Sequence, residues 1–190
     1  MKPAPEKERI FYFLNPTLVM NDRNSKPKLE PLEWRHAHDL QRVVNDPTMT
    51  EWSNMPHVYF SNGAQSLIQR SLHQARNEGN HMLALYIEDD LSGVFSIQRD
   101  SVVPEAGHFL FWVEANCWKS GRAVAYLEDV VTFAMKELGL EQLLTNCLER
   151  NTLCTRALEA VGFVRVSRQK SSRPGGYGQE TELCFLAQTD

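Results

Sequence analysis

The chain has no apolar run near the ~18 residues needed to cross a bilayer, and nothing from Met1 to Arg9 resembles the apolar centre of a secretion signal. A cytoplasmic location with no membrane partner is expected. Cysteines number only four, Cys117, Cys147, Cys154 and Cys184, with no Cys-x-x-Cys pair and no His at finger-type spacing. No metal is expected, and the thiols read as reduced. Positive charge is not in surplus: 20 Lys and Arg against 24 Asp and Glu leave a net −4, so no general field exists to hold a nucleic-acid backbone directly. Glycine and proline, 10 and 9 in 190 residues, are too few for a collagen-like or disordered chain, and no repeat, low-complexity tract or linker interrupts it.

What is present is globular usage, 42% apolar and 23% charged, at the length of one domain. Arg9 to Val19 reads as a strand, and Leu29 to Leu32 as a second that pairs with it. Ala37, Leu40, Val43 and Val44 recur at helical spacing between Trp34 and Asn45, where Asp46-Pro47 ends the helix. Residues 48–60 read as an aromatic loop. Ser61 then caps a helix of about five turns with a stripe of Ala64, Leu67, Ile68, Leu72 and Ala75, stopped by Gly79. His81 to Ile87, Gly93 to Gln98 and His108 to Val113 follow as consecutive antiparallel strands. Val124, Leu127, Val130, Val131, Ala134, Met135 and Leu138 mark a long amphipathic helix. Gln142 to Cys147 is a strand, Asn151 to Gly162 a shorter helix, and Phe163 to Ser167 and Glu182 to Leu186 the last strands. This order describes an α/β domain with a mixed sheet and helices on both faces.

Two segments carry chemistry. Trp118-Lys119-Ser120-Gly121-Arg122-Ala123 leaves a strand and enters the long helix, whose start offers unpaired N–H groups and partial positive charge to a phosphate. Asn151-Thr-Leu-Cys154 through Gly162-Phe163 opens the next helix beside it. Together they resemble the GNAT acyltransferase superfamily, in particular the RimJ/RimL branch that acetylates ribosomal-protein N-termini. The likeness covers about residues 28–188 and leaves 1–27 as an N-terminal extension. It implies a single-domain GNAT fold of about seven mostly antiparallel strands with helices on both faces. It also implies acetyl-CoA as cosubstrate, bound as a monomer or homodimer, and direct transfer to a primary amine such as a protein N-terminus. Polyamines, aminoglycosides and peptide antibiotics are the small-molecule alternatives, and a non-catalytic CoA-binding module is the rival from another class.

Carried over residue by residue, the resemblance assigns the cofactor pyrophosphate to Lys119, Ser120, Gly121, Arg122 and Ala123. It assigns the pantetheine to the backbone of Trp112 and Val113, and the thioester region to Asn151 and Cys154. Two departures stand out: Trp118-Lys119 lacks one glycine of the phosphate loop, and Leu158 replaces a Tyr that many members use to protonate the leaving thiolate. An amine must lose a proton to be acetylated. His108, where the branch often has a strand Glu, is the candidate base, an imidazole suiting the task near neutral pH. Glu105 is the runner-up. Cys154 is the candidate donor to the thiolate. Arg165, Arg168, Lys170 and Arg173 form a basic run read as a solvated face or as a contact for the CoA phosphate or an acidic substrate.

Overall fold

A computed structural model describes residues 28–45, 63–77, 79–87, 90–114, 117–118, 121–170 and 180–189. The strands are β1 (Lys28–Pro31), β2 (His81–Ile87), β3 (Asp90–Arg99), β4 (Ala106–Val113), β5 (Gln142–Leu148), β6 (Val164–Lys170) and β7 (Thr181–Gln188). The helices are α1 (Ala37–Val44), α2 (Gly63–Asn77), α3 (Arg122–Lys136) and α4 (Thr152–Ala160). One sheet holds all seven strands in the order β1-β2-β3-β4-β5-β7-β6. Every neighbouring pair is antiparallel except β4 with β5. A parallel pair needs a crossover, and α3 supplies it.

Because strand side chains alternate, the sheet offers two apolar faces. Phe95, Phe109 and Leu143 pack with Leu127 and Val130 of α3 and Leu158 of α4. On the other face Ala84 and Val94 pack with Leu40 of α1 and Ile68 of α2. Phe95, Phe109 and Phe163 form a stacked series with centroids 6.0 and 6.2 Å apart, each such pair contributing about 0.5–1.5 kcal/mol beyond its buried area. Phe163 reaches that series because α4 ends at Gly162 with φ 94°. Phe163 N–H then donates to Leu158 O at 3.0 Å and Gly162 N–H to Glu159 O at 3.2 Å. The Gly-Phe pair is thus a helix stop whose second residue is driven into the core.

The expected helix over 34–45 begins instead as a 3₁₀ turn, Trp34–His36. The reason is His36, which is buried: its Nδ1 accepts the Glu33 N–H and its Nε2 meets Glu30 Oε1, both at 2.9 Å. The ring pins the first turn tightly to β1. The described partner of β1 is β2; the strand expected over residues 9–19, the aromatic loop over 48–60, Ser61 and the Ala75 side chain lie outside the described residues. The described part of α2, Gly63–Asn77, has 15 residues, about four turns.

Candidate active site

β4 and β5 pair only through Ala106↔Gln142, Gly107↔Leu143 and His108↔Leu144. Beyond His108 each strand stays with its outer neighbour, β4 with β3 to Gly93↔Val113 and β5 with β7 to Leu148↔Glu182. Held apart in this way, the two strands form a V-shaped cleft that opens toward their C-terminal ends. Five residues of β4 beyond His108 give it a depth of about 17 Å.

The ladder decides which backbone groups face the cleft. Glu114 N–H donates to Ser92 O at 2.8 Å and Asp100 N–H to Ala106 O at 2.9 Å. Both bonds join directly opposed residues of the β3–β4 register, so even-numbered β4 residues bond to β3. Phe109, Phe111 and Val113 therefore turn their N–H and C=O groups toward β5, whereas those of Trp112 belong to β3. By the same reasoning Glu149 N–H to Thr181 O and Thr189 N–H to Glu141 O give odd β5 residues to β7. Leu144, Asn146 and Leu148 then face the cleft. Two of these groups are engaged near the mouth: Leu148 O accepts the Asn151 N–H at 2.9 Å, and Val113 O accepts the Trp118 indole N–H at 2.9 Å, with the indole 6.1 Å from the Phe111 ring.

At the open end stand two helix starts. Gly121 precedes α3 with φ 73°, a left-handed conformation that favours glycine. Gly121 has no side chain with which to cap α3, no cap comes from another of the described residues, and the first turn has no acid. A Cβ on Gly121 would meet nothing within 4 Å. Arg122 is exposed and bonds the Tyr126 hydroxyl, while Ala123 is buried. Lys119 and Ser120 lie outside the described residues. Across the cleft, Asn151 caps α4: its Oδ1 accepts the Cys154 N–H at 3.1 Å.

Cys154 is buried behind that cap. Its hydrogen bond to Cys147, together with burial, pushes the Cys154 thiol well above its ordinary range. Accepting that bond lowers Cys147 against the opposing effect of burial, with Thr155 Oγ1 3.6 Å from its sulfur. Cys154 is therefore the neutral partner, and its S–H already points to Cys147. Leu158, where a phenol would stand in many relatives, is fully buried among apolar side chains.

His108 lies at the closed end, half-exposed, with Nε2 3.2 Å from Asp100 Oδ2. Two backbone N–H groups, Val103 and then Val102, and the His108 ring hold the Asp100 carboxyl below the usual range. Glu105 has an exposed side chain; its carbonyl accepts Glu141 and Gln142 N–H at 2.7 and 3.1 Å and closes the base of the V. Cys147, which touches Cys154, is three residues beyond Leu144, the residue opposite His108. That separates the two candidate groups by roughly 10 Å along the strand. They are not mutual partners and would serve different atoms. The basic run is on the exposed edge strand β6, where Arg168 makes a two-pronged ion pair with Glu149 at 2.9 and 2.7 Å; Arg173 lies outside the described residues. Among the described residues no group of three His, Cys, Asp or Glu could hold a metal, and no helix is long and apolar enough to cross a membrane.

Asp100, Cys147 and the Phe111 backbone escape a reading of the sequence alone. Asp100 heads a Asp-Ser-Val-Val-Pro turn, which is a recognisable turn signal but not a sign of a partner eight residues on. The backbone assignment depends on the parity of the β3–β4 register, which no motif encodes.

Residues 28–164 match the family model described as acetyltransferase (GNAT) domain, and the chain belongs to that family of acetyltransferases. No curated protein matches its sequence. Among solved structures, the ribosomal-protein-S5-alanine acetyltransferase from Vibrio fischeri is similar at TM-score 0.76 and 13% identity, over 92% of this chain and 98% of that one. RimL, a ribosomal L7/L12 alpha-N-protein acetyltransferase in complex with coenzyme A, is similar at 0.78 and 12%, over 90% and 98%. The microcin C7 self-immunity acetyltransferase MccE, in complex with acetyl-CoA and AMP, is similar at 0.74 and 14%, over 88% and 94%.

Proposed function

We propose that this chain moves acetyl from acetyl-CoA directly to a primary amine, and that the amine is a protein N-terminus. The observation that carries the transfer reading is the parting of β4 and β5 beyond His108, with the glycine-led start of α3 at the mouth of the gap. Its residues fit acetyl-CoA. The α3 start, with Lys119, Ser120, Gly121, Arg122 and Ala123, suits the pyrophosphate. The cleft-facing backbone of Phe111 and Val113 suits an extended amide-containing arm, in place of the Trp112 backbone, while Asn151 borders it from the α4 side. The family supports the donor, and the S5-alanine and L7/L12 enzymes among similar structures support the N-terminal acceptor.

In the reaction the acceptor nitrogen forms a C–N bond at the thioester carbonyl as the C–S bond breaks. The nitrogen's proton passes to His108, directly or through one water, and the departing thiolate accepts a hydrogen bond from the Cys154 S–H, turned from Cys147, while it takes up a proton from solvent. Cys154 suits that part because its environment keeps the thiol protonated. Glu105 is the second candidate base, its carboxylate exposed beside the closed end.

Thiol release from acetyl-CoA, measured against N-terminal peptides, polyamines and aminoglycosides, tests both halves. Turnover with peptides alone is the expected result. Turnover with a small amine alone overturns the acceptor, and a cofactor-dependent rise in Tm without any turnover makes the chain a binding module, the reading that Leu158 favours. For His108→Ala we expect kcat/KM to fall by about 10²–10⁴. His108→Glu should recover part of it, and a rate equal to wild type in both variants would give the proton to Glu105 or bulk water.

A further inference from the structure

We propose that Asp100 is the positioning residue for His108, holding the ring in the tautomer whose Nδ1 accepts the proton. The inference rests on the reading of His108 as the base. Asp100 is fixed independently of the ring: its Oδ1 accepts Val102 and Val103 N–H at 2.8 and 2.9 Å, and the hairpin is closed by Asp100 N–H to Ala106 O and Ala106 N–H to Val103 O, both 2.9 Å. The second oxygen, Oδ2, is left facing His108 Nε2 at 3.2 Å. An ionised carboxylate only accepts, so Nε2 carries the hydrogen of that bond and Nδ1 keeps a lone pair.

The other groups around the ring do not compete for this role. Gln98 is opposite it on β3 and Leu144 on β5. Arg99 donates to the carbonyls of Pro104 and Leu138. Glu105 is the remaining carboxylate nearby, with its side chain exposed. Asp100 is thus the one acid among the described residues in contact with the ring.

Asparagine makes the decisive variant. It can cap the 100–103 turn as aspartate does, yet it can present an N–H to Nε2 and so drive the hydrogen to Nδ1. If Asp100 serves only the turn, Asp100→Asn should behave as wild type and Asp100→Ala should be the damaged one. If Asp100 positions His108, Asn should be at least as harmful as Ala. The direct measurement is ¹⁵N-edited NMR of the imidazoles in the full chain, with the His108 signals identified by their loss in His108→Ala. Wild type is expected to show the Nε2–H form, and Asp100→Asn the Nδ1–H form. The kinetic measurement uses acetyl-CoA and the most active acceptor of the panel. Asp100→Asn should lower kcat about tenfold, less than loss of the base itself, and leave KM for acetyl-CoA unchanged. In the His108→Ala background it should change nothing further.

An unchanged tautomer in Asp100→Asn overturns the proposal, as does an unchanged kcat beside a slow His108→Ala. Should His108→Ala run at the wild-type rate, or no acceptor turn over, the base reading falls and takes the catalytic role of Asp100 with it, while the NMR result still shows whether the carboxylate sets the tautomer.

Discussion

The two helices that begin at the mouth of the cleft start in opposite ways. α4 satisfies its own first turn: Asn151 Oδ1 takes the Cys154 N–H, and the Asn151 carbonyl receives both the N–H and the hydroxyl of Thr155. α3 has a left-handed glycine in the cap position and, among the described residues, no side-chain cap. Orphan N–H groups at a helix start need an acceptor from side chain, water or ligand. A self-capped start belongs to the architecture, and one without a cap of its own beside a parted pair of strands is where the proposed function puts the cofactor's phosphates. The resemblance treats the two segments as a matched pair, yet their caps differ.

The strongest way to break the comparison is Gly121→Asp, which sets a carboxylate where the phosphate should lie. Acetyl-CoA at 100 times its Kd should stabilise the wild type by about 2.7 kcal/mol, a rise in Tm of about 5–10 °C for a chain of this size. Differential scanning fluorimetry should show that rise abolished in the variant. An undiminished rise would remove the phosphate from α3. Gly121→Ala separates charge from backbone strain, because its Cβ meets no neighbour and only the left-handed conformation costs, about 1–2 kcal/mol.

On the other side, Asn151→Ala removes a cap worth about 1 kcal/mol. Chemical denaturation without cofactor should register that loss, whereas a silent Asn151→Ala would mean that α4 is no better capped than α3. Cys154, the residue beneath that cap, sharpens the comparison through catalysis. Cys154→Ser should keep most activity, and Cys154→Ala should lower kcat several-fold with little change in KM, as expected for one hydrogen bond of about 1 kcal/mol in the transition state. Equal rates would reduce the residue to packing.

The smallest effect concerns α3 beyond its first turn. Burial, with Glu128 adding to it, pushes the Asp129 carboxyl up to about 6. Its folded value lies above the unfolded one, so the folded state binds the proton more tightly and stability falls as pH rises from about 4 to 6. Asp129→Asn should raise Tm at pH 7 by about 2 °C after allowing for solvent screening. The gain should vanish at pH 3.5; a gain that persists there would have another source.

The elements were legible because periodicity and helix stops are local. The stripe from Val124 to Leu138 gives α3 within two residues at either end, and Gly162-Phe163 names both the end of α4 and a core aromatic. The cleft itself was legible only through resemblance, since a parted strand pair leaves no pattern in either strand. Trp112 shows the limit most clearly: its position beside the cleft follows from the motif, but whether its amide or that of Phe111 faces inward turns on one residue of register. His108 could be nominated by strand position. Its contact with Asp100 could not, because that contact spans a hairpin whose length sets which side chains meet.

The bond between Trp118 and the Val113 carbonyl gives the molecule an optical signal of its own. An indole resting on Phe111 with its N–H engaged emits from a different surrounding than one released to water. A ligand arm that competes for that carbonyl must share it or turn the ring away. Among the four tryptophans of the chain, Trp118 is the one tied to a cleft-facing backbone group in the described residues, and Trp118→Phe would silence it while keeping an aromatic ring. Occupancy of the cleft should then be readable as a change in emission colour, in real time and without any attached dye.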